Sequence, residues 1–241
     1  IVDPTEGDLA FNERYLNWLK EHLSGQRDDD VIAELVLADE SRGLRLIRSL
    51  ADFLRKDRDA RLPNHAWSTS VAKKLSAAAA AFEKEIAQLE FQEEQTSQAC
   101  AAFIEMADLL GGSDLLVTKP RNRALVQTAT IPRHVVCFTQ NGGKRQLRTK
   151  GAWEKAAAAA GKRTDHGTMA FQVCSARYDA CHEALSELMA MVAGELLARV
   201  VSAMDRLFAE WREYKRSAAL LDFDDLLHTA RELVAKNDGI R

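Results

Sequence analysis

One stretch of the chain carries an apolar repeat that constrains the fold more than any other feature of the sequence. The repeat returns at intervals of 3 or 4 residues, averaging 3.64, at Phe171, Cys174, Tyr178, Cys181, Leu185, Leu188, Val192, Leu196, Val200, Ala203, Leu207 and Trp211. That average lies close to the ~3.6-residue period of an α-helix and above the repeat of about 3.5 residues in a heptad coiled coil. We therefore predict one long amphipathic helix over residues 168–215. Such a helix needs partners along its length, because its apolar face must be buried.

A second apolar stripe predicts the partner of this helix. A helical spacing relates Val71, Leu75, Phe82 and Leu89, and Gly111-Gly112 is typical of a helix end. We predict a long helix near residues 70–110 and expect it to lie antiparallel to the first. The chain has only 4 Pro and 12 Gly among 241 residues, which also favours helix. The predicted fold class is mainly α, built from long antiparallel helices.

The segment between these two helices has a different character. It shows little helical periodicity, and Gln140-Asn-Gly-Gly-Lys144 lies between two short runs with β-strand character. This pattern predicts a β-hairpin near residues 135–149 within a small irregular insertion. We expect residues 1–241 to form a single helical domain, with 111–167 as its basic loop and hairpin region and 218–241 as a return segment.

The same middle segment holds a concentration of positive charge. Residues 115–165 contain eleven Lys and Arg against Glu154 and Asp165, a net charge of +9, so the remainder of the chain carries −12. Clustered cations are typical of surfaces that bind nucleic-acid phosphates. The alternative is a solvated basic loop that has no partner. We predict that the phosphate-binding residues are Lys119, Arg121, Arg123, Arg133, Lys144, Arg145, Arg148 and Lys150.

Three more arginines, at positions 42, 45 and 48, lie three residues apart on another predicted helix. They could add phosphate contacts. Acidic side chains nearby, at Asp39, Glu40 and Asp52, favour the alternative of a surface ion-pair face.

Motifs that carry catalysis are missing from the sequence. The nearest approach to a phosphate-binding loop, Ala156 to Arg163, lacks the first Gly and has Arg where Ser or Thr must bind Mg²⁺. The carboxylates of Asp222, Asp224 and Asp225 suit the start of a helix without any metal. The four cysteines contain no CxxC pair, so we interpret them as small buried apolar residues in a reducing compartment and not as zinc ligands. We predict no catalytic residue and no metal site.

Three segments of the chain resemble UvrD-like superfamily 1 DNA helicases of the RecB/AddA type, the family of the exonuclease V beta subunit. The most specific is Tyr214-Lys-Arg-Ser-Ala-Ala-Leu-Leu-Asp-Phe-Asp-Asp-Leu-Leu-His-Thr-Ala-Arg-Glu-Leu-Val234, similar to the stretch before the Walker B motif. The stretch Phe138-Thr139 followed by Asn141–Lys150 resembles the family's Leu-Thr-x-x-Gly-x-x-Arg-x-x-Leu-x-Thr-Lys sequence. The opening Ile1–Glu6 is similar to the segment after motif Ib.

This resemblance implies a role within a larger protein. The order of the three segments is similar to that of subdomain 1B, which is inserted into the first RecA-like ATPase domain, so that residues 218–241 return toward that domain. The parent would be an ATP- and Mg-dependent 3′–5′ DNA helicase and exonuclease of double-strand break repair and recombination. No Walker, arginine-finger or nuclease residue of the family has a counterpart here. The resemblance therefore implies a DNA-binding accessory subdomain, without catalysis or cofactor of its own.

A second class of function stays open, that of a helical protein-interaction module. We expect Trp67, Trp153 and Trp211 to be exposed, where they could dock a nuclease subunit, a helicase partner subunit or the remaining helicase domains. A cytoplasmic location with no membrane partner is expected, since the sequence has neither a signal peptide nor an apolar run of about 20 residues.

Overall fold

The computed structural model describes residues 4–25, 27–56, 69–91, 93–111, 121–130, 137–139, 143–218, 220 and 223–236. Within these ranges every regular element is a helix, which confirms the mainly α fold class. The helices are α1 (Pro4–Leu23), α2 (Val31–Ala38), α3 (Glu40–Lys56), α4 (Thr69–Ala87), α5 (Glu94–Gly111), α6 (Arg121–Thr130), α7 (Lys150–Ala159), α8 (Thr164–Ser217) and α9 (Phe223–Lys236). None of the described helices combines the length and apolar character needed to cross a membrane.

The long helix predicted over residues 168–215 is confirmed as α8, which continues beyond the predicted bounds at both ends. Ten of the twelve positions of its apolar repeat are buried, and Cys174, Leu188, Val192 and Leu207 have no exposed surface. Burial of this stripe stabilises the helix, because long helices in proteins depend on packing more than on intrinsic propensity.

The prediction of one helix over residues 70–110 is wrong, because that region forms α4 and α5. The last turn of α4 tightens, with Leu89 donating its N–H to the Ile86 carbonyl at 3.1 Å. Glu93 then caps α5, since its carboxylate accepts the Thr96 N–H at 2.9 Å and the Thr96 hydroxyl at 2.8 Å. The two helices pack on each other as a helical hairpin.

The antiparallel arrangement is confirmed for α4 and α8. Lys74 forms an ion pair with Glu187 at 2.9 Å, and Glu85, about three turns further along α4, pairs with Arg177 at 2.8 Å. Residue numbers therefore rise along α4 as they fall along α8. The rings of Phe82 and Tyr178, 6.4 Å apart, lie between these pairs in the same register.

The chain divides into two compact units, unit 1 (Ile1–Leu62 with Leu197–Arg241) and unit 2 (Pro63–Leu196). In unit 1, Trp18 donates its Nε1–H to the Ala203 carbonyl at 3.2 Å, and the rings of Phe11 and Trp211 meet edge to face at 5.4 Å. In unit 2, one apolar core joins α4, α5, the start of α7 and the N-terminal part of α8. The assignment of residues 1–241 to one domain stays a prediction.

The hairpin predicted near residues 135–149 appears, in the described residues, as an isolated antiparallel bridge between Phe138 and Lys144. Two backbone bonds flank it, from Thr139 N–H to the Gly143 carbonyl at 2.8 Å and from Arg145 N–H to the Cys137 carbonyl at 2.9 Å. Residues 135–136 and 140–142 lie outside the described part. The rest of the described insertion between α5 and α8 is mainly α6 and α7, so it is more helical than its weak periodicity indicates.

The end of α8 is joined to α9 by a buried ion pair in unit 1. Lys215 and Asp225 are each under a tenth exposed, and Nζ lies 2.5 Å from the carboxylate. Asp222 and the Asp224 side chain, expected at this helix start, lie outside the described residues. Asp225 serves instead as the counterion of Lys215, a role that needs no metal.

Two of the three tryptophans expected on the surface are buried. Trp153 and Trp211 are buried, with exposures of 1% and 3%, so they offer no docking surface, and Trp67 lies outside the described residues. Both indoles complete apolar cores, which explains why residues of this size lie in the helical repeats. The protein-interaction module stays a prediction, without these two side chains.

Candidate nucleic-acid interface

The predicted phosphate-binding residues fall into three groups in the structure. Lys119 and Arg133 lie outside the described residues. Arg121 and Arg123 are exposed on the first turn of α6. The remaining four, Lys144, Arg145, Arg148 and Lys150, are exposed along residues 144–150, which we call the basic strip.

The basic strip is held against unit 2 by its backbone. Tyr178, on α8, donates its hydroxyl to the Arg145 carbonyl at 2.6 Å and lies 3.3 Å from the Cys137 carbonyl. Burial raises the pKa of the Tyr178 phenol, so the group stays a donor across the physiological range. Leu147 packs on the apolar core, and the buried Trp153 anchors α7 immediately after the strip. The strip therefore presents its cations from a fixed backbone.

Each of three cations in the strip has an acidic partner from outside it. Lys144 pairs with Asp179 of α8, and its ammonium lies 5.6 Å from the Tyr178 ring centroid. Arg148 lies 3.4 Å from the Glu93 carboxylate. Lys150 lies 3.5 Å from Glu154, one turn along α7.

These pairs are open to solvent on the cation side. The side chains of Lys144, Arg148 and Lys150 are 44%, 59% and 55% exposed. The carboxylates of Asp179 and Glu154 are also open to solvent, and exposed ion pairs contribute roughly 0.2–1 kcal/mol each, so a phosphate can replace these two carboxylates at little cost. When Arg148 turns to a phosphate, Glu93 keeps both Thr96 hydrogen bonds on one oxygen, while its other oxygen loses the Arg148 cation.

Asp179 and Glu93 are acidic members of this site that the sequence did not reveal. A charge count over residues 115–165 omits Asp179 and Glu93, which reach the strip from α8 and the start of α5. The local charge of the surface is therefore lower than the count of +9 for the segment. Asp179 follows Tyr178 on the predicted helix, and Tyr178 is the residue that binds the backbone of the strip.

A concave pocket of about 380 Å³ lies between the basic strip and α8. One wall carries Lys144, Arg148 and Lys150, and the other carries Phe171, Ser175 and Asp179. The three α8 residues are spaced by four, so they lie on one face of the helix. The pocket thus combines positive charge, an aromatic ring and oxygen acceptors.

The other candidate sites, where the structure describes them, show no cluster of metal-binding side chains. The loop-like sequence Ala156 to Arg163 is the end of α7 and its connection to α8, where Gly161 adopts a positive φ of 73° and Lys162 pairs with Glu90. The four cysteines are buried free thiols, as predicted. Burial raises the pKa of Cys137 and of Cys181 to about 12, so both are protonated and unreactive near neutral pH. Among the described residues, His, Cys, Asp and Glu form no group of three that could hold a metal ion.

The expected ion-pair face on α3 is found for one of its arginines. Arg48 lies 2.9 Å from Asp52 and 4.9 Å from the Tyr15 ring centroid. Arg42 and Arg45 are exposed on the same helix. Comparison with protein-family models, with curated proteins and with solved structures finds no match to this chain.

Proposed function

We propose that this chain is a DNA-binding accessory subdomain of an ATP-dependent 3′–5′ DNA helicase and exonuclease. The observation that carries the proposal is the basic strip, where four exposed cations lie along seven residues of tethered backbone. The resemblance of three segments to RecB/AddA-type helicases supports the same assignment and supplies the context of double-strand break repair and recombination. The proposed parent works in the cytoplasm and binds ATP and Mg outside this chain.

The spacing of the strip suits contact with a sugar–phosphate backbone. Lys144, Gln146 and Arg148 line one concave surface beside α8. Cations on one side of an extended segment can meet successive phosphates of a single strand. Contacts of this type carry no sequence information, and the proposed binding is sequence-independent.

The first prediction concerns the charge of the strip. The double reversal Lys144→Glu and Arg148→Glu should weaken DNA binding at least tenfold for every sequence, because it removes two phosphate contacts and adds repulsion. The slope of log K against log salt should flatten by up to about 0.9 per lost duplex contact. Fluorescence anisotropy with labelled oligonucleotides measures both quantities, and wild-type affinities of roughly 10⁻⁴ to 10⁻⁶ M are expected at physiological salt.

A matched control has the same change in charge on another surface. The variant Arg42→Glu and Arg45→Glu alters two exposed cations on α3 and leaves the structured contacts of Arg48 intact. We expect it to bind DNA nearly as well as the wild type. If the α3 reversal abolishes binding and the strip reversal has no effect, the interface has been placed on the wrong surface. Circular dichroism melts of both variants check that the helices are unchanged.

A further inference from the structure

The pocket beside the basic strip has a composition that a phosphate contact alone does not explain. A surface that binds only backbone phosphates needs cations, and Lys144, Arg148 and Lys150 supply them. The opposite wall adds the half-buried ring of Phe171, the Ser175 hydroxyl and the Asp179 carboxylate. Asp179 is already paired with Lys144, so this wall offers the Phe171 ring and the Ser175 hydroxyl to a flat, apolar part of the ligand that has a hydrogen-bonding edge.

A nucleobase has these properties. Bases of any identity stack on aromatic side chains, because each has a π-face, and their edge groups can donate to hydroxyl and carboxylate oxygens. A volume of about 380 Å³ is at the small end of ligand sites, which span roughly 300–1,000 Å³. It suits one base with its sugar and phosphate. A base within a duplex is stacked between its neighbours and cannot enter such a pocket unless it unpairs.

The wall formed by α8 is rigid enough to receive a ring. Tyr178 lies beside the pocket, fixed by its hydrogen bond to the strip and by edge-to-face contacts with Phe103 at 5.7 Å and His182 at 4.6 Å. These contacts join the helix face that carries Phe171, Ser175 and Asp179 to the backbone of the strip. A preorganised pocket loses little conformational entropy when a ligand binds.

We propose that this pocket holds one unpaired nucleotide of single-stranded DNA, with its base against Phe171 and its phosphate between Arg148 and Lys150. The inference rests on the proposed DNA-binding function and deepens it by naming the strand type. Duplex DNA meets only the outer cations of the strip. The chain therefore binds a single strand, or a frayed end, more tightly than a blunt duplex of equal length.

Substitution of the aromatic ring tests the pocket separately from the charges. Phe171→Leu keeps an apolar side chain on the core and removes the stacking face. We expect it to weaken binding of a labelled poly-dT oligonucleotide roughly tenfold, the effect typical of one lost base–aromatic contact, and to leave blunt-duplex binding unchanged. The matched control is Phe53→Leu, which alters another ring, 47% exposed, on α3. It should bind both DNAs as the wild type does.

A spectroscopic signal reports the stacking itself. A single 2-aminopurine in the oligonucleotide should be quenched on binding to the wild-type chain and to Phe53→Leu, and the quenching should be lost in Phe171→Leu. If Phe171→Leu binds the single strand and quenches the probe like the wild type, or if the wild type shows no preference for the single strand, the pocket proposal is overturned. The proposed DNA-binding function still stands after such a result if the Lys144→Glu and Arg148→Glu double variant loses binding to both DNAs. If the strip reversal also binds like the wild type, the proposed function fails as well.

Discussion

At the scale of single residues, His182 is the most unusual side chain in unit 2. It is 7% exposed, and its ring lies among the aromatic rings of Phe103, Phe138 and Tyr178, with centroids 4.6 to 5.1 Å away. In the described part of the chain its buried Nε2 has no hydrogen-bond partner. Burial, helped by the nearby Lys144 charge, lowers its pKa to about 4. The imidazole is therefore neutral in the folded protein near pH 7.

This lowered pKa predicts acid sensitivity with a defined sign. In the unfolded chain the His182 pKa returns to about 6.5, so between about pH 6.5 and pH 4 the unfolded state binds more protons. Above that window the folded protein keeps its full free energy of unfolding. As the pH falls through the window, protonation of His182 in the unfolded chain lowers this free energy, by about 2 kcal/mol near pH 4.5. Urea unfolding of the wild type and His182→Leu at both ends of the window measures the effect. On acidification the wild type should lose more unfolding free energy than His182→Leu. An equal loss in the two proteins would refute the prediction.

At the scale of elements, the crossing of α7 and α8 depends on the absence of a side chain at Gly167. A Cβ there would lie 2.6 Å from the Trp153 carbonyl oxygen and 2.7 Å from the Glu154 Cα. Both are backbone atoms of α7, which cannot rotate away as a side chain can. The close approach brings the N-terminal turns of α7, and with them the end of the basic strip, against α8.

Gly167→Ala should therefore destabilise unit 2 by about 1–3 kcal/mol, the usual cost of an overpacked contact. The same change at Gly151, a helical position with no atom within 4 Å of its added Cβ, should be neutral or stabilising by up to about 1 kcal/mol. Thermal and urea unfolding of the two variants give the comparison. Equal stability for both would mean that the two helices are not in close contact in solution.

The elements also show where sequence reasoning succeeds and where it fails. The period of α8 was readable because twelve apolar positions keep one helical phase, and all but Phe171 and Ala203 of these are buried. The break between α4 and α5 was not readable, because no Pro or Gly marks it. Glu93 caps α5 although Glu is not among the preferred capping residues. The partners of the strip were missed for another reason, since Arg148 and Gln95, 3.2 Å apart, are 53 residues apart in the chain.

At the scale of the whole molecule, the four thiols all lie in unit 2 and its core. Burial raises the pKa of Cys100 and of Cys174 to about 11, and the other two values are higher. A thiol must be both deprotonated and accessible to react. The cysteines of the native chain thus report on unit 2, whereas Trp18 and Trp211 lie in unit 1.

Ellman's reagent at about pH 8 should accordingly find almost no reactive thiol in the native protein and 4 per chain in concentrated guanidinium. Monitoring thiol release along a denaturant series follows unit 2 alone, whereas tryptophan fluorescence reports on both units, because Trp153 lies in the core of unit 2. Rapid reaction of one or more thiols without denaturant would show that the core of unit 2 opens locally or is packed differently.

The ion pairs of the basic strip also affect what a salt titration can count. When a protein cation binds a DNA phosphate, the ions that are released are the cations condensed on the DNA. The salt dependence of binding therefore counts these cations. Lys144, Arg148 and Lys150 already hold tethered carboxylates, which stay on the protein and become free to attract salt cations once a phosphate displaces them. These freed carboxylates therefore take up some of the cations that the DNA releases. The slope of log K against log salt should understate the number of phosphates touched, and neutralising Asp179 should steepen it.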